Sequence, residues 1–165
     1  MSENLALRKK LTSIIIEKGG MDKVEGVGDI KKIFDNNEFP PGTDCTSILF
    51  GKEKPSGWLY KILAHAKVLG EPEPFAIADY GYPEDEDGVS HVGIITPDLK
   101  FVSKWGISGH VFESLPTEVP SWWGPVVYRR IKDYSVFKNM HPKLKEYLDK
   151  LGWSEHIGPQ SRLVK

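Results

Sequence analysis

Between Phe75 and Ile131 the chain changes from helical to extended periodicity, and that change constrains its architecture more than any other feature. Five short segments, 75–80, 90–96, 99–105, 110–115 and 126–131, are rich in β-branched and aromatic residues. Breaks near Gly88, Pro97, Gly106 and Pro116 separate them, so they predict an antiparallel meander. Helical patterns flank this block. Leu5, Leu7, Leu11, Ile14 and Ile15 predict a helix over 4–18, ended by Gly19 and Gly20, and a second short helix is expected from Asp29 to Phe34. After the break at Pro40-Pro41-Gly42, Thr43 or Asp44 offers an N-cap for a short apolar helix from Cys45 to Phe50 that stops at Gly51. Another helix, with Ser56 as a cap, fits Gly57 to Leu69. A last one, Pro142 to Leu151, carries Leu144, Tyr147, Leu148 and Leu151 on one face and is closed by Gly152. Helices, then an antiparallel meander, then a helix make an α+β plan.

At 165 residues the chain has the length of a single domain, 1–165, with an N-terminal helical segment over 1–40, a core over 41–131 and a C-terminal helix and tail over 132–165. Lys plus Arg number 22 against 23 Asp plus Glu, a net charge of -1, which leaves no basic footprint for nucleic acid or anionic lipid. One cysteine cannot form an intramolecular disulfide, which favours a reducing compartment. Ile14, Ile15 and Ile16 are followed at once by Glu17 and Lys18, far short of the roughly 18 apolar residues a membrane span needs. Nor does an apolar run of signal-peptide length follow Arg8, Lys9 and Lys10. The expectation is a soluble, cytoplasmic chain with no nucleic-acid or membrane partner; specialised export and the oligomeric state stay open.

Cys45 would sit in the first turn of its helix, where unpaired backbone N–H groups and the positive end of the helix dipole favour a thiolate. Ser90-His91-Val92-Gly93-Ile94-Ile95 places a histidine at the start of an apolar strand, and a Cys and His pair is a minimal acyl-transfer site. If Pro97 is the centre of an odd-length hairpin loop, residues whose numbers sum to 194 face each other, so His91 is opposite Ser103, whose hydroxyl would orient the imidazole. In another register His110 takes that place. Asp44 either caps the helix or shapes a substrate subsite.

Asp44-Cys45-Thr46-Ser47 opening a helix, then His91-Val92-Gly93-Ile94 on a strand, then a polar residue twelve positions after the histidine, resembles the NlpC-type papain-fold cysteine peptidases, in an uncharacterised branch. The resemblance covers about 41–131. It implies a papain-like fold with a short nucleophile helix packed on an antiparallel sheet, and Cys45, His91 and Ser103 as nucleophile, base and orienting residue. His91 would take the Cys45 proton, the thiolate would attack an amide carbonyl, and water would release a thioester acyl-enzyme; the Cys45 backbone N–H would help bind the oxyanion. A peptide or related amide is the implied substrate, with peptidoglycan stem peptide among the candidates. Ser47 stands where the family commonly has glycine, and Ser103 is a weaker imidazole partner than the usual residues. A catalytically inactive binding or interaction module on the same fold is the second reading.

Trp105, Trp122 and Trp123 are candidates for lining a substrate groove, since aromatic faces stack on sugar or peptide ligands. The acidic run Glu84-Asp85-Glu86-Asp87-Gly88 reads as a solvated loop, because Pro83 and Ile94 occupy the first and twelfth ligand positions of a calcium loop. Gly26-Val27-Gly28 lacks a preceding strand and a third glycine, so it reads as a turn and not as a dinucleotide site. His65, His110, His141 and His156 lack metal-ligand spacing and no second cysteine exists, so neither a metal nor a cofactor is expected.

Overall fold

A computed structural model describes residues 2–52, 58–82 and 91–157. Its helices are α1 (Ser2–Lys18), α2 (Ser47–Phe50), α3 (Trp58–His65) and α4 (Pro142–Asp149). Its strands are β1 (Lys31–Phe34), β2 (Lys67–Leu69), β3 (Ile77–Tyr80), β4 (His91–Ile95), β5 (Phe101–Lys104), β6 (Val111–Ser114) and β7 (Val126–Arg130). These described strands form one sheet in the order β1-β6-β5-β4-β3-β7-β2, and every pairing is antiparallel. The α+β class is therefore present, and no described helix is long and apolar enough to cross a membrane.

The expected meander holds from β3 to β6, but the last strand does not extend it. β7 returns to pair with β3, register Ala78 to Tyr128, and so closes over the far side of the central strands. Two expected helices are corrected in part to strand. Residues 31–34 pair with β6, Lys31 facing Glu113, and 67–69 pair with β7, Val68 facing Arg129. Both segments are too short to hold a helix without neighbours, whereas a sheet edge supplies a ready row of backbone partners. The N-terminal segment therefore contributes a strand as well as a helix. The proposed Ser56 cap and the acidic run 84–88 fall outside the described residues.

Central strands β3 and β4 are buried along their whole length, with both faces covered. One face carries Ile77, Val92, Ile94, Val102 and Val111 and packs under α2, α3 and α4; the other carries Ala78, Tyr80, Ile95, Phe101 and Phe112 and packs under α1 and the 3-10 turn 121–123. The cost of placing Asp79 inside β3 is offset by Arg129 of the neighbouring strand, whose Nε donates to the Asp79 carboxylate and whose Nη1 donates to the Leu63 carbonyl at 2.9 Å. Burial still pushes the Asp79 carboxyl above its ordinary range.

The hairpin between β4 and β5 differs from expectation. Ile94 pairs with Val102 and Ile95 with Phe101, so the loop is centred on Asp98 and not Pro97. Leu99 adopts φ 64° and donates its N–H to the Thr96 carbonyl at 2.8 Å, while Thr96 donates to Lys100 at 2.9 Å. A turn followed by a left-handed residue adds one position after Pro97 and shifts the pairing by two. The same ladder extended puts Ser103 across from Gly93, where a Cβ would lie 2.5 Å from the Phe101 ring.

Candidate functional site

The local chemistry of the Cys45 turn follows from Asp44. Its carboxylate accepts from Thr46 N–H at 3.1 Å and Ser47 N–H at 2.8 Å, and the Ser47 hydroxyl accepts from Asp44 N–H at 2.8 Å. The Asp44 carbonyl accepts the first helical bond from Ile48 at 3.2 Å, so Asp44 caps the turn and Cys45 is the next residue. Of the two roles open to Asp44, capping is the one its hydrogen bonds carry out.

Cys45 packs against the core that contains Val92, Ile94 and Val102. Burial pushes its thiol above the ordinary range; the Val92 backbone N–H pulls the other way, Asp44 adds to the rise, and the Thr46 hydroxyl at 3.8 Å offsets it slightly. The thiol is therefore held neutral at pH 7. The expected helix from Cys45 is corrected in its start: α2 begins at Ser47, so Cys45 lies in the turn before it and not in its first turn. Lys104 shares this environment. It is fully buried, and its ammonium donates to the Gly106 and Ile107 carbonyls at 2.8 and 3.1 Å. Burial lowers its pKa, and the nearby Asp44 carboxylate opposes this.

His91 is on the other side of the sheet. Val92 and Ile94 face the Cys45 core, and alternation along β4 then turns His91, Gly93 and Ile95 the opposite way. The His91 imidazole stacks on Trp123 at a centroid distance of 3.5 Å and an interplanar angle of 14°, with Phe101 at 5.9 Å and Tyr80 at 6.4 Å. Burial lowers its pKa to about 3, so the ring is neutral, and its Nε2 has no hydrogen-bond partner. Cys45 and His91 are thus on opposite sides of β4 and are not brought together.

Ser103 shares the His91 face but sits two places from the expected register, and its hydroxyl is also without a partner, so no hydrogen bond joins it to the imidazole. His110 is engaged elsewhere: its Nδ1 accepts from Asn36 N–H at 2.9 Å, beside Asp35 at 3.7 Å. Trp105 and Trp123 are core residues packed on each other at 5.1 Å, whereas Trp122 is 46% exposed, so the three do not share one groove wall. Among the remaining histidines, His141 Nδ1 accepts from Lys143 N–H at the start of α4, and His156 bonds the Tyr134 hydroxyl at 2.9 Å. Among the described residues no three His, Cys, Asp or Glu side chains converge as metal ligands. Gly26 donates to the Ile30 carbonyl within a turn.

The sequence reading missed Lys104. Its signal was the position itself, a lysine in register with inward-facing Val102 on a strand whose other residues are buried. No family model, curated protein or solved structure matches the chain.

Proposed function

We propose that this chain is a binding or interaction module with a papain-like arrangement, a cysteine-bearing turn leading into a short helix on an antiparallel sheet, that does not run Cys–His hydrolysis. The observation that carries the reading is the His91 ring stacked on Trp123 at 3.5 Å, on the sheet face away from Cys45. A general base must come within about 2.6–3.2 Å of the proton it takes, or reach it through one water. A strand separates this base from its thiol. The thiol in turn is held protonated by burial, and a protonated thiol is a poor nucleophile. Retention of the cysteine-bearing turn is explained by packing: Cys45 behaves as a small apolar residue against the β4 core.

The test is the pH dependence of Cys45 alkylation by iodoacetamide in the wild type and in His91→Ala. The binding-module reading predicts slow alkylation at pH 7, an apparent pKa at or above the reference of about 8.5, and no change on removing the imidazole. A thiolate titrating well below that value and shifting upward in His91→Ala would restore the hydrolase, with Cys45 as nucleophile, His91 as base and a peptide or amide as substrate.

A further inference from the structure

The layer between α1 and the sheet holds four polar side chains that are nine-tenths or more buried and that each leave an atom unpartnered: Arg8 Nε, His91 Nε2, Ser103 Oγ and Trp105 Nε1. Buried polar groups are nearly always hydrogen-bonded, so one such atom calls for an explanation and four in one layer call for a common one. They share neighbours. His91 and Trp105 both pack on Trp123, at 3.5 and 5.1 Å, and Arg8 lies 5.6 Å over the Tyr80 ring, itself 5.7 Å from Trp123. Ser103 is on the same sheet face, on the strand that leads into Trp105.

All four groups of the set can donate, and two of them can do nothing else. Arg8 Nε–H and Trp105 Nε1–H can only donate, the Ser103 hydroxyl can donate, and His91 can present an N–H at Nε2 in one tautomer or when protonated. One member carries a permanent positive charge, and no described carboxylate hydrogen-bonds it: Arg8 Nη2 donates to the Pro120 carbonyl at 2.8 Å. Unpartnered donors buried in one layer with a cation match an oxygen acceptor with negative charge. We propose that this layer is a carboxylate-binding site, with Arg8 supplying the charge and Trp105, Ser103 and His91 the further hydrogen bonds. α1 covers this layer. Besides Arg8 it is tied down at the site by Thr12, whose hydroxyl accepts from Ser121 N–H at 2.8 Å, and by Leu11 and Ile15 in the core.

The site deepens the binding-module reading by naming a ligand class, and its test is separate from thiol alkylation. Sodium formate and sodium acetate are titrated into the full chain at pH 7 against sodium chloride at equal ionic strength, with the indole N–H of Trp105 and the ring nitrogens of His91 followed by NMR. The expected result is a saturable shift of both with carboxylate and none with chloride. Affinity should fall at least tenfold in Arg8→Met and severalfold in the milder Ser103→Ala, which keeps the proposal testable should Arg8→Met fail to fold. Short peptides with a free or an amidated C-terminus then distinguish a peptide carboxylate from a free small acid as the source. Shifts that do not saturate, that chloride reproduces, or that survive Ser103→Ala unchanged would overturn the carboxylate site and leave the alkylation result untouched. An activated Cys45 thiolate would overturn the binding module while leaving the carboxylate titration to stand by itself.

Discussion

Replacing His91 with phenylalanine should remove the share of the acid sensitivity of folding that this imidazole contributes. In the unfolded chain the imidazole takes up a proton near its model value of 6.5; in the folded chain burial against Trp123 delays this to about pH 3. Between these values the unfolded state binds more protons, so stability falls as pH falls, by about 1.4 kcal/mol for each pH unit. About 2 units below 6.5, at pH 4.5, the loss from this residue is about 2.7 kcal/mol, and it levels off near 5 kcal/mol once the folded ring also titrates. His141 and His156 are lowered too, chiefly by burial, but they are present in both proteins and cancel in the comparison. Urea unfolding at pH 7 and pH 4.5 reads the effect. With a slope of about 1–3 kcal/mol/M, the wild-type midpoint should drop by on the order of 1–2 M more than that of His91→Phe. Phenylalanine keeps an aromatic ring against Trp123 and lacks the titrating nitrogen, so the quantity compared is the change with pH and not the stability at either pH. Equal losses in the two proteins, within about 0.5 kcal/mol, would refute the burial of a neutral imidazole at this position.

Two further outcomes follow from the interior of the sheet and from the cysteine turn. Arg129→Leu leaves the Asp79 carboxylate buried without its partner and should cost about 3–5 kcal/mol at pH 7, much of it recovered when Asp79→Asn is added; strictly additive losses in a double-mutant cycle would remove the coupling. Asp44→Ala removes both side-chain bonds that start the Cys45 turn and should lower stability by about 1 kcal/mol, whereas Asp44→Asn, which keeps the accepting oxygen, should cost less; equal costs would mean that charge and not capping matters there.

The class of the fold was legible because the strand block between Phe75 and Ile131 has strong β composition and clear breaks, and four of its five segments became neighbouring strands in sequence order. The site was not legible, and β4 shows why. His91-Val92-Gly93-Ile94-Ile95 is buried on both faces, so it carries no alternation of polar and apolar residues from which to assign a side. Whether His91 or Val92 meets Cys45 is decided by which core closes over Val92 and Ile94, a long-range choice. Even the register rested on a loop whose extra residue is taken up by left-handed Leu99, a conformation that the residue type does not advertise. The edge strands 31–34 and 67–69 were hidden for a related reason: their partners, β6 and β7, are distant in sequence. Lys104 escaped because a strand lysine ordinarily faces water, and its burial depends on Gly106 at φ 90° turning backbone carbonyls back onto the ammonium.

The central claim is that β4 separates the imidazole of His91 from the thiol of Cys45, and NMR of the His91 ring tests it most directly. The account predicts nuclear Overhauser contacts from the His91 ring protons to the Trp123 indole, none to the Cys45 β-protons, and ring nitrogens that do not titrate between pH 5 and 8. Contacts to the Cys45 β-protons, together with a ring that titrates in that range, would contradict it and return the pair to one site.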